Sequence, residues 1–326
     1  MSTVTLDIMY CNNHSQQLAD AQSQSELTDV YIYDHLNGFD TAYNNDILDL
    51  ILSFASKQHQ RITVHTSYIF DDHVLSNYNN LDFKCRMFKM LHSFHDYRQH
   101  PELDFQNFIC SFNGSEHVSR KLLVAILKKF GFYNPEYVSK NFVFIKDKLD
   151  GHITDYVGSR NNFYKKFFID NDSDEFFNTI NSFGHVRFDH ANNVKNLESK
   201  LTNSFLHVVS ETLATSHVPF ITEKFVYSVV TRGLFLAYGQ PGWHDHLENY
   251  YGFRKYNRIF DYRFDAIQNP VERLVELMSM ISKFSILSSD DWRDLYAIEK
   301  DTIEYNYDQY FSRNYLKHVE QFCESL

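Results

Sequence analysis

Residues Glu211 to Trp243 read ETLATSHVPFITEKFVYSVVTRGLFLAYGQPGW. With the run before it, Phe205 to Ser210 (FLHVVS), this stretch predicts strand, loop, helix and strand in succession. FLHVVS is apolar and β-rich, as a strand buried on both faces should be. Thr222 is a residue type that caps helix N-termini, and Phe225, Val226, Val229 and Val230 come after it at helical spacing. Gly233 stands where a left-handed glycine closes a helix. Leu234 to Tyr238 then predicts the next buried strand, ended by the turn Gly239-Gln240-Pro241-Gly242.

Glu223 and Lys224 fall at the predicted helix start. Free backbone N–H groups and the helix dipole there favour an anion, and a lysine adds a full positive charge, which suits a diphosphate. A carboxylate would repel that diphosphate, so Glu223 requires a different target. A ribose diol offers two donors to two carboxylate oxygens. The same residues also fit an ordinary helix start, with an acidic first turn and a solvated lysine.

Ile221-Thr222-Glu223-Lys224, with Glu211 before it and a strand and Gly-Pro turn after it, resembles the donor-binding signature of the α-1,3-fucosyltransferase family. It is also similar to fucosyltransferase-like proteins of phage and bacterial glycan clusters. Thr212 stands where the family has Asn, and Phe220 where it has Tyr. The resemblance implies a GT-B fold, in which Glu223 holds the ribose of a nucleotide-diphosphate sugar and Lys224 its diphosphate. It extends to Arg258 to Asp265 (RIFDYRFD) and Asn269-Pro270-Val271-Glu272-Arg273. There the residues themselves predict a strand and loop, then a helix opened by Pro270 with Leu274, Leu277, Met278 and Ile281 as its apolar face.

Composition narrows the classes. A chain of 326 residues with 43% hydrophobic content can bury a core, and its length suits two domains or one large one. A net charge of −11 argues against broad affinity for nucleic-acid backbone, which needs clustered lysine and arginine. Cys11, Cys85, Cys110 and Cys323 are scattered without a C-x-x-C pair, which fits a reducing compartment. No run reaches the roughly 18 apolar residues of a membrane span, and no basic leader precedes an apolar stretch at the N-terminus, so a cytoplasmic protein is expected, in the host cytoplasm if the chain is viral.

The remaining chain reads as two α/β units, residues 1–104 and 105–326. In the first, Val30 to Tyr33 is a strand, Ile47 to Ala55 a helix, and Ile62 to His65 a second strand. Loops after parallel strands line ligand clefts, which places Asp34 and His35 best in this half, with Asp71 and Asp72 next. Phe83 to Phe94 predicts a helix with His92 and His95 on one face, a pair that lacks a third metal ligand.

In the second unit Phe108 to Phe112 predicts a strand and Asn113 to His117 a loop. Ser119 to Phe130 predicts an amphipathic helix with Leu122, Leu123, Ile126 and Leu127 inward. Arg120 lies in its first turn, where the dipole disfavours a cation unless an anion is bound. This strand, loop and arginine resemble the opening of the family's donor domain, which implies Arg120 and Lys224 on one diphosphate, with Asn113 beside them. Asp170-Asn171-Asp172 matches the metal motif of the other large glycosyltransferase fold but also an ordinary acidic loop; His244-Asp245-His246 is open in the same way. Helices are expected over Asp290 to Glu304 and Tyr307 to Glu324, crossing back to the first domain.

The expectation is an α/β protein of the GT-B type, with an acceptor-side domain over 1–104 and a donor-binding domain over 105–326. The reaction would be metal-independent, inverting transfer from a nucleotide-diphosphate sugar, with no further cofactor. Donor contacts fall on Asn113, Arg120, Glu211, Thr222, Glu223 and Lys224, with Asp34 as the base. The acceptor is a glycan or a modified nucleobase. A metal-dependent enzyme using Asp170 and Asp172, a phage enzyme glycosylating hydroxymethylated DNA, and a non-catalytic virion or binding protein are the other readings.

Overall fold

Seven consecutive residues of Ser204–Ser210 and all five of Leu234–Tyr238 are buried, the signature of strands covered on both faces. They are strands of the protein's computed structural model. It describes residues 2–7, 14–24, 27–33, 51–53, 55–56, 61–66, 81–85, 94, 97, 101–113, 118–140, 193–211, 214 and 221–325. The architecture is mixed α/β, and the described residues form two parallel sheets of four strands each.

The first sheet takes β1 (Ser2–Asp7), β2 (Leu27–Tyr33), β3 (Ile62–Thr66) and β4 (Leu81–Cys85) in simple sequential order, all parallel. Helix α1 (His14–Gln24) joins the first two. β2 and β3 fall where Val30 to Tyr33 and Ile62 to His65 predict strands. The helix expected from Phe83 does not begin there: Phe83 to Cys85 end β4, and Leu81-Asp82-Phe83-Lys84-Cys85 alternates with the period of two that a strand needs. His92 and His95 lie outside the described residues.

The second sheet has the order β6-β5-β7-β8, again all parallel, from β5 (Asn107–Asn113), β6 (Val138–Lys140), β7 (Ser204–Ser210) and β8 (Leu234–Tyr238). After β5 the chain runs through α2 (Val118–Lys129) to β6 on one side. α3 (Asn193–Thr202) leads into β7 and packs on it. After β7 the chain runs through a 3-10 turn (Glu223–Phe225) and the short α4 (Val226–Val230) to β8 on the other side. Right-handed crossovers then put α2 and α4 on opposite faces. α2 is enclosed rather than amphipathic, because every residue from Ser119 to Leu127 is buried.

The helix ahead of β8 is shorter than its apolar spacing suggests, and it does not close on glycine. The left-handed residue is Arg232 (φ 56), not Gly233. Its strain of roughly 1–2 kcal/mol is offset by tertiary partners. Arg232 Nε donates to both Glu304 oxygens at 3.1 and 3.0 Å, and the guanidinium lies 3.5 Å from the centre of the Tyr307 ring. The turn after β8 brings Gly239 against the buried Trp243, where a Cβ would lie 2.5 Å from Trp243 Cδ1. Gly239→Ala should therefore force the indole aside and lower stability by about 1–3 kcal/mol, measurable as a lower denaturation midpoint with an unchanged slope.

Helix α5 (Trp243–Tyr251) comes next, then a loop and 3-10 turn (Tyr262–Ala266) where a strand was expected from Arg258. Phe260 and Phe264 are buried there, and Asp261 caps the turn by accepting the Arg263 N–H. Helix α6 (Pro270–Ser282) begins as predicted: Asn269 accepts from the Val271 and Glu272 N–H groups, Pro270 is the first residue, and Leu274, Leu277, Met278 and Ile281 are buried. α6 packs on α2.

The C-terminal part forms three helices rather than two: α7 (Ser289–Ile298), α8 (Lys300–Phe311) and α9 (Asn314–Ser325). The first break falls at Glu299, fully buried, whose carboxylate accepts from the Arg258 N–H (2.6 Å) and Thr302 hydroxyl (2.8 Å). The second comes after Arg313, which is left-handed (φ 59). Helix α9 touches β4 of the first sheet as well as α5, and Trp292 of α7 stacks on Phe205 of β7 in the second, so these helices meet both sheets.

Among the described residues many of the aromatic side chains are core material. Phe205 stacks with Trp292 at 5.8 Å, and Phe225 lies 5.2 to 5.9 Å from Phe253, Phe235 and Trp243.

Candidate functional site

In an open parallel sheet the ligand crevice lies beyond the carboxyl ends of two adjacent strands whose connections leave in opposite directions. Among the described strands of the second sheet that point falls between β5 and β7. The carboxyl ends of both strands carry polar residues. Ser111 Oγ donates to the Val208 carbonyl at 2.7 Å, and Asn113, fully buried, donates from Nδ2 to Ser111 Oγ at 3.3 Å. β7 ends at Ser210 and Glu211 lies just past it. Ser119 Oγ, at the start of α2, donates to the Glu211 carbonyl at 3.4 Å.

Around that crevice the structure gathers Arg120, Glu211, Thr222, Glu223 and Lys224. Glu211 is fully buried, and its N–H donates to the Tyr238 carbonyl of β8 at 3.0 Å. Its Oε1 accepts the Thr222 N–H at 3.0 Å and its Oε2 accepts the Thr222 hydroxyl at 2.6 Å. Lys224 Nζ donates in turn to Thr222 Oγ1 at 2.7 Å, and lies 3.7 Å from Glu211 Oε2 and 3.8 Å from Glu223 Oε1. Lysine, threonine and glutamate thus form a donor chain that points inward.

Thr222 has the extended backbone of a capping residue (φ −112, ψ 174), but its side chain does not cap. Its hydroxyl is turned to Glu211, eleven residues earlier in the chain. The helix start expected at Glu223 is a 3-10 turn leading into a five-residue helix, too short to supply a substantial dipole. Positive charge in the crevice comes instead from side chains. Lys224 is only 16% exposed, so it is not a solvated surface lysine.

Arg120 is 3% exposed. Burial pulls its guanidinium down to about 10, against the opposing pull of the Glu211 and Glu223 carboxylates, and it stays cationic at neutral pH. The Glu211 carboxyl is pushed above the usual carboxylate range by burial; Lys224 and the two Thr222 hydrogen bonds oppose the shift, and Glu223 adds to it. Two cations and two carboxylates therefore share one enclosed site.

The turn is anchored from behind. Phe225 fills the aromatic cluster below, which leaves Glu223 and Lys224 at its rim. Arg273, 1% exposed, ties three loops at this end of the sheet. Its Nε donates to the Gly239 carbonyl at 3.2 Å, Nη1 to the Ile267 carbonyl and, at 3.2 Å, to that of Gln268, and Nη2 to the Ala214 carbonyl. Asp265 holds His244: Oδ1 accepts from Nδ1 at 2.9 Å, Oδ2 accepts the His244 N–H at 2.8 Å, and Nε2 accepts the Ala237 N–H at 2.9 Å.

The triplet His244-Asp245-His246 consequently spreads over separate partners. His244 secures β8, Asp245 pairs with Lys255, and His246, driven to about 3 by burial, packs on Tyr250. Among the described residues no cluster of three metal-ligating side chains occurs. Asp34, His35, Asp71, Asp72, Asp170 and Asp172 lie outside the described residues. Ser111, Ser119, Asp265 and the anchoring role of Arg273 were not foreseen; the nearest signal was Arg273 within the Asn-Pro-x-x-Arg element.

No helix of the described residues is long and apolar enough to cross a membrane. Comparison with models of protein families gives no match, and comparison with curated proteins gives none either.

Proposed function

We propose that the protein is a glycosyltransferase of the two-domain GT-B type, moving a sugar from a nucleotide-diphosphate sugar to an acceptor hydroxyl. The observation that carries this reading is the convergence of Arg120 and Lys224, both largely withdrawn from solvent, with Glu223 at the switch point of a parallel sheet. An enclosed pair of cations at that place suits a dianionic group. In this reading Arg120 and Lys224 neutralise the departing diphosphate, as a divalent cation does in other enzymes. Glu223 holds the ribose diol. Thr222 and Glu211 hold Lys224. Asp34 of the first domain takes the acceptor proton, and the displacement inverts the anomeric carbon.

The test is a thermal-shift panel of GDP, UDP, ADP, CDP and dTDP, each with and without Mn²⁺, on wild type and Lys224→Ala. One nucleotide should raise the wild-type midpoint by several degrees without metal, since a ligand at about a hundred times its Kd stabilises by about 2.7 kcal/mol. Losing one charge-assisted contact in Lys224→Ala should weaken that nucleotide roughly 10- to 100-fold. A shift that needs Mn²⁺ would favour the metal-dependent reading. A shift equal in both proteins, or no shift with any nucleotide, would sink the donor-site assignment.

A further inference from the structure

Glu211 has no role as a direct ligand in this geometry. Its side chain is fully buried, and both oxygens already accept hydrogen bonds from Thr222. The charged groups that face it among the described residues come from two elements. Helix α2 supplies Arg120, with Lys121 buried beside it, and the turn supplies Glu223 and Lys224. β8 contributes the Tyr238 carbonyl, to which the Glu211 N–H donates. Among the described residues the carboxyl groups of Glu211 and Glu223 thus offset the charges of Arg120 and Lys224.

That balance poses a problem for an anionic ligand. A diphosphate entering the crevice has to draw Lys224 and Arg120 toward itself, and so weakens their hold on Glu211. A carboxylate enclosed in low dielectric that loses its counter-charges becomes protonated. We propose that Glu211 is a positioning residue that takes up one proton from solvent when a diphosphate binds, releasing Lys224 from its own carboxylate to the phosphate oxygens. The proton bridges Glu211 to Thr222 Oγ1, which can reverse its hydrogen-bond direction and accept. No covalent bond changes. The proposal rests on the reading of this site as one for a nucleotide diphosphate.

Supporting it, burial raises the Glu211 carboxyl above the usual carboxylate range while Lys224 holds it down, so drawing Lys224 away moves it further in the same direction. Two linkages result. A carboxyl whose folded pKa is raised contributes stability that is complete below its unfolded pKa and is lost as pH rises through the folded one. If ligand raises the value further, binding weakens as pH rises between the free and bound pKa values, by at most about tenfold per pH unit.

Calorimetry with inorganic pyrophosphate and with nucleoside diphosphates tests this on wild type and Glu211→Gln, in two buffers of different ionisation enthalpy. The ligand's own titration contributes equally to both proteins, so the difference between them isolates Glu211. Wild type should take up more protons than Glu211→Gln, and the variant should bind more tightly near neutral pH with a flatter pH profile. A residue that merely shaped the fold would not change proton uptake.

Should the variant fail to fold, carbon-13 titration of the Glu211 carboxyl in wild type reads the same quantity. Its midpoint should move up when pyrophosphate is added. Equal proton uptake in both proteins, or a midpoint unmoved by ligand, overturns the proposal while leaving the site reading standing. Failure of every diphosphate to bind either protein removes the site reading, and the proposal with it.

Discussion

Arg273→Ala should be among the most damaging single changes around the second sheet, with a loss of about 4 kcal/mol or more. The guanidinium donates to the carbonyls of Ala214, Gly239, Ile267 and Gln268, which belong to the loop after β7, the turn after β8 and the segment before α6. Removing it leaves several of these acceptors facing a void that was filled by a planar, charged group. Lysine cannot replace it, because an ammonium does not present a fork of donors to carbonyls on several sides. Arg273→Lys should therefore recover less than half of the loss. Urea denaturation of the three proteins measures this; a lysine variant as stable as wild type would mean that charge alone, not the fork, organises the loops.

Phe225→Ala should cost about 3–5 kcal/mol. The ring touches Phe253, Phe235 and Trp243 at centroid distances of 5.2 to 5.9 Å, so its loss opens a cavity that three rigid aromatic neighbours cannot fill by small shifts. The position matters beyond stability. Phe225 is adjacent in the chain to Lys224 and next but one to Glu223, and burying it pins the 3-10 turn to the core. On the proposed donor-site reading, a variant that stays folded should bind diphosphates more weakly than wild type although the Phe225 ring touches none of the ligand, while Phe225→Leu retains most of both properties. Unaltered diphosphate affinity in a folded Phe225→Ala would show that the turn is held by the Thr222–Glu211 contacts alone.

Much of the second sheet was legible because its signals are local. FLHVVS and LFLAY are continuous apolar runs bounded by breakers, and Asn269-Pro270 carries its own cap. Where the reading failed, a tertiary partner had overridden a local preference. Gly233 was the reasonable candidate for a left-handed residue, yet Glu304 and Tyr307, some seventy residues later, hold Arg232 in that conformation instead. Phe83 to Cys85 joined a strand because β3 offers an edge to pair with. In the site, the odd placement of Arg120 in a first helical turn was visible in the sequence. The hydroxyl of Thr222 was not: its spacing announced a cap, and only folding brings Glu211 close enough to accept its hydrogen bond. His244 and Asp265 illustrate the same limit, since nothing in either segment alone names the other as partner.

The contact of α9 with β4 sets an order of events during synthesis. β4 leaves the ribosome with the first sheet, whereas α9 emerges only after the second sheet and the helices that carry it. Throughout that interval β4, the last strand of the first sheet among the described residues, lacks the cover that α9 gives it, and an uncovered strand edge can recruit a neighbouring nascent chain. The first sheet therefore completes its packing last although it is made first.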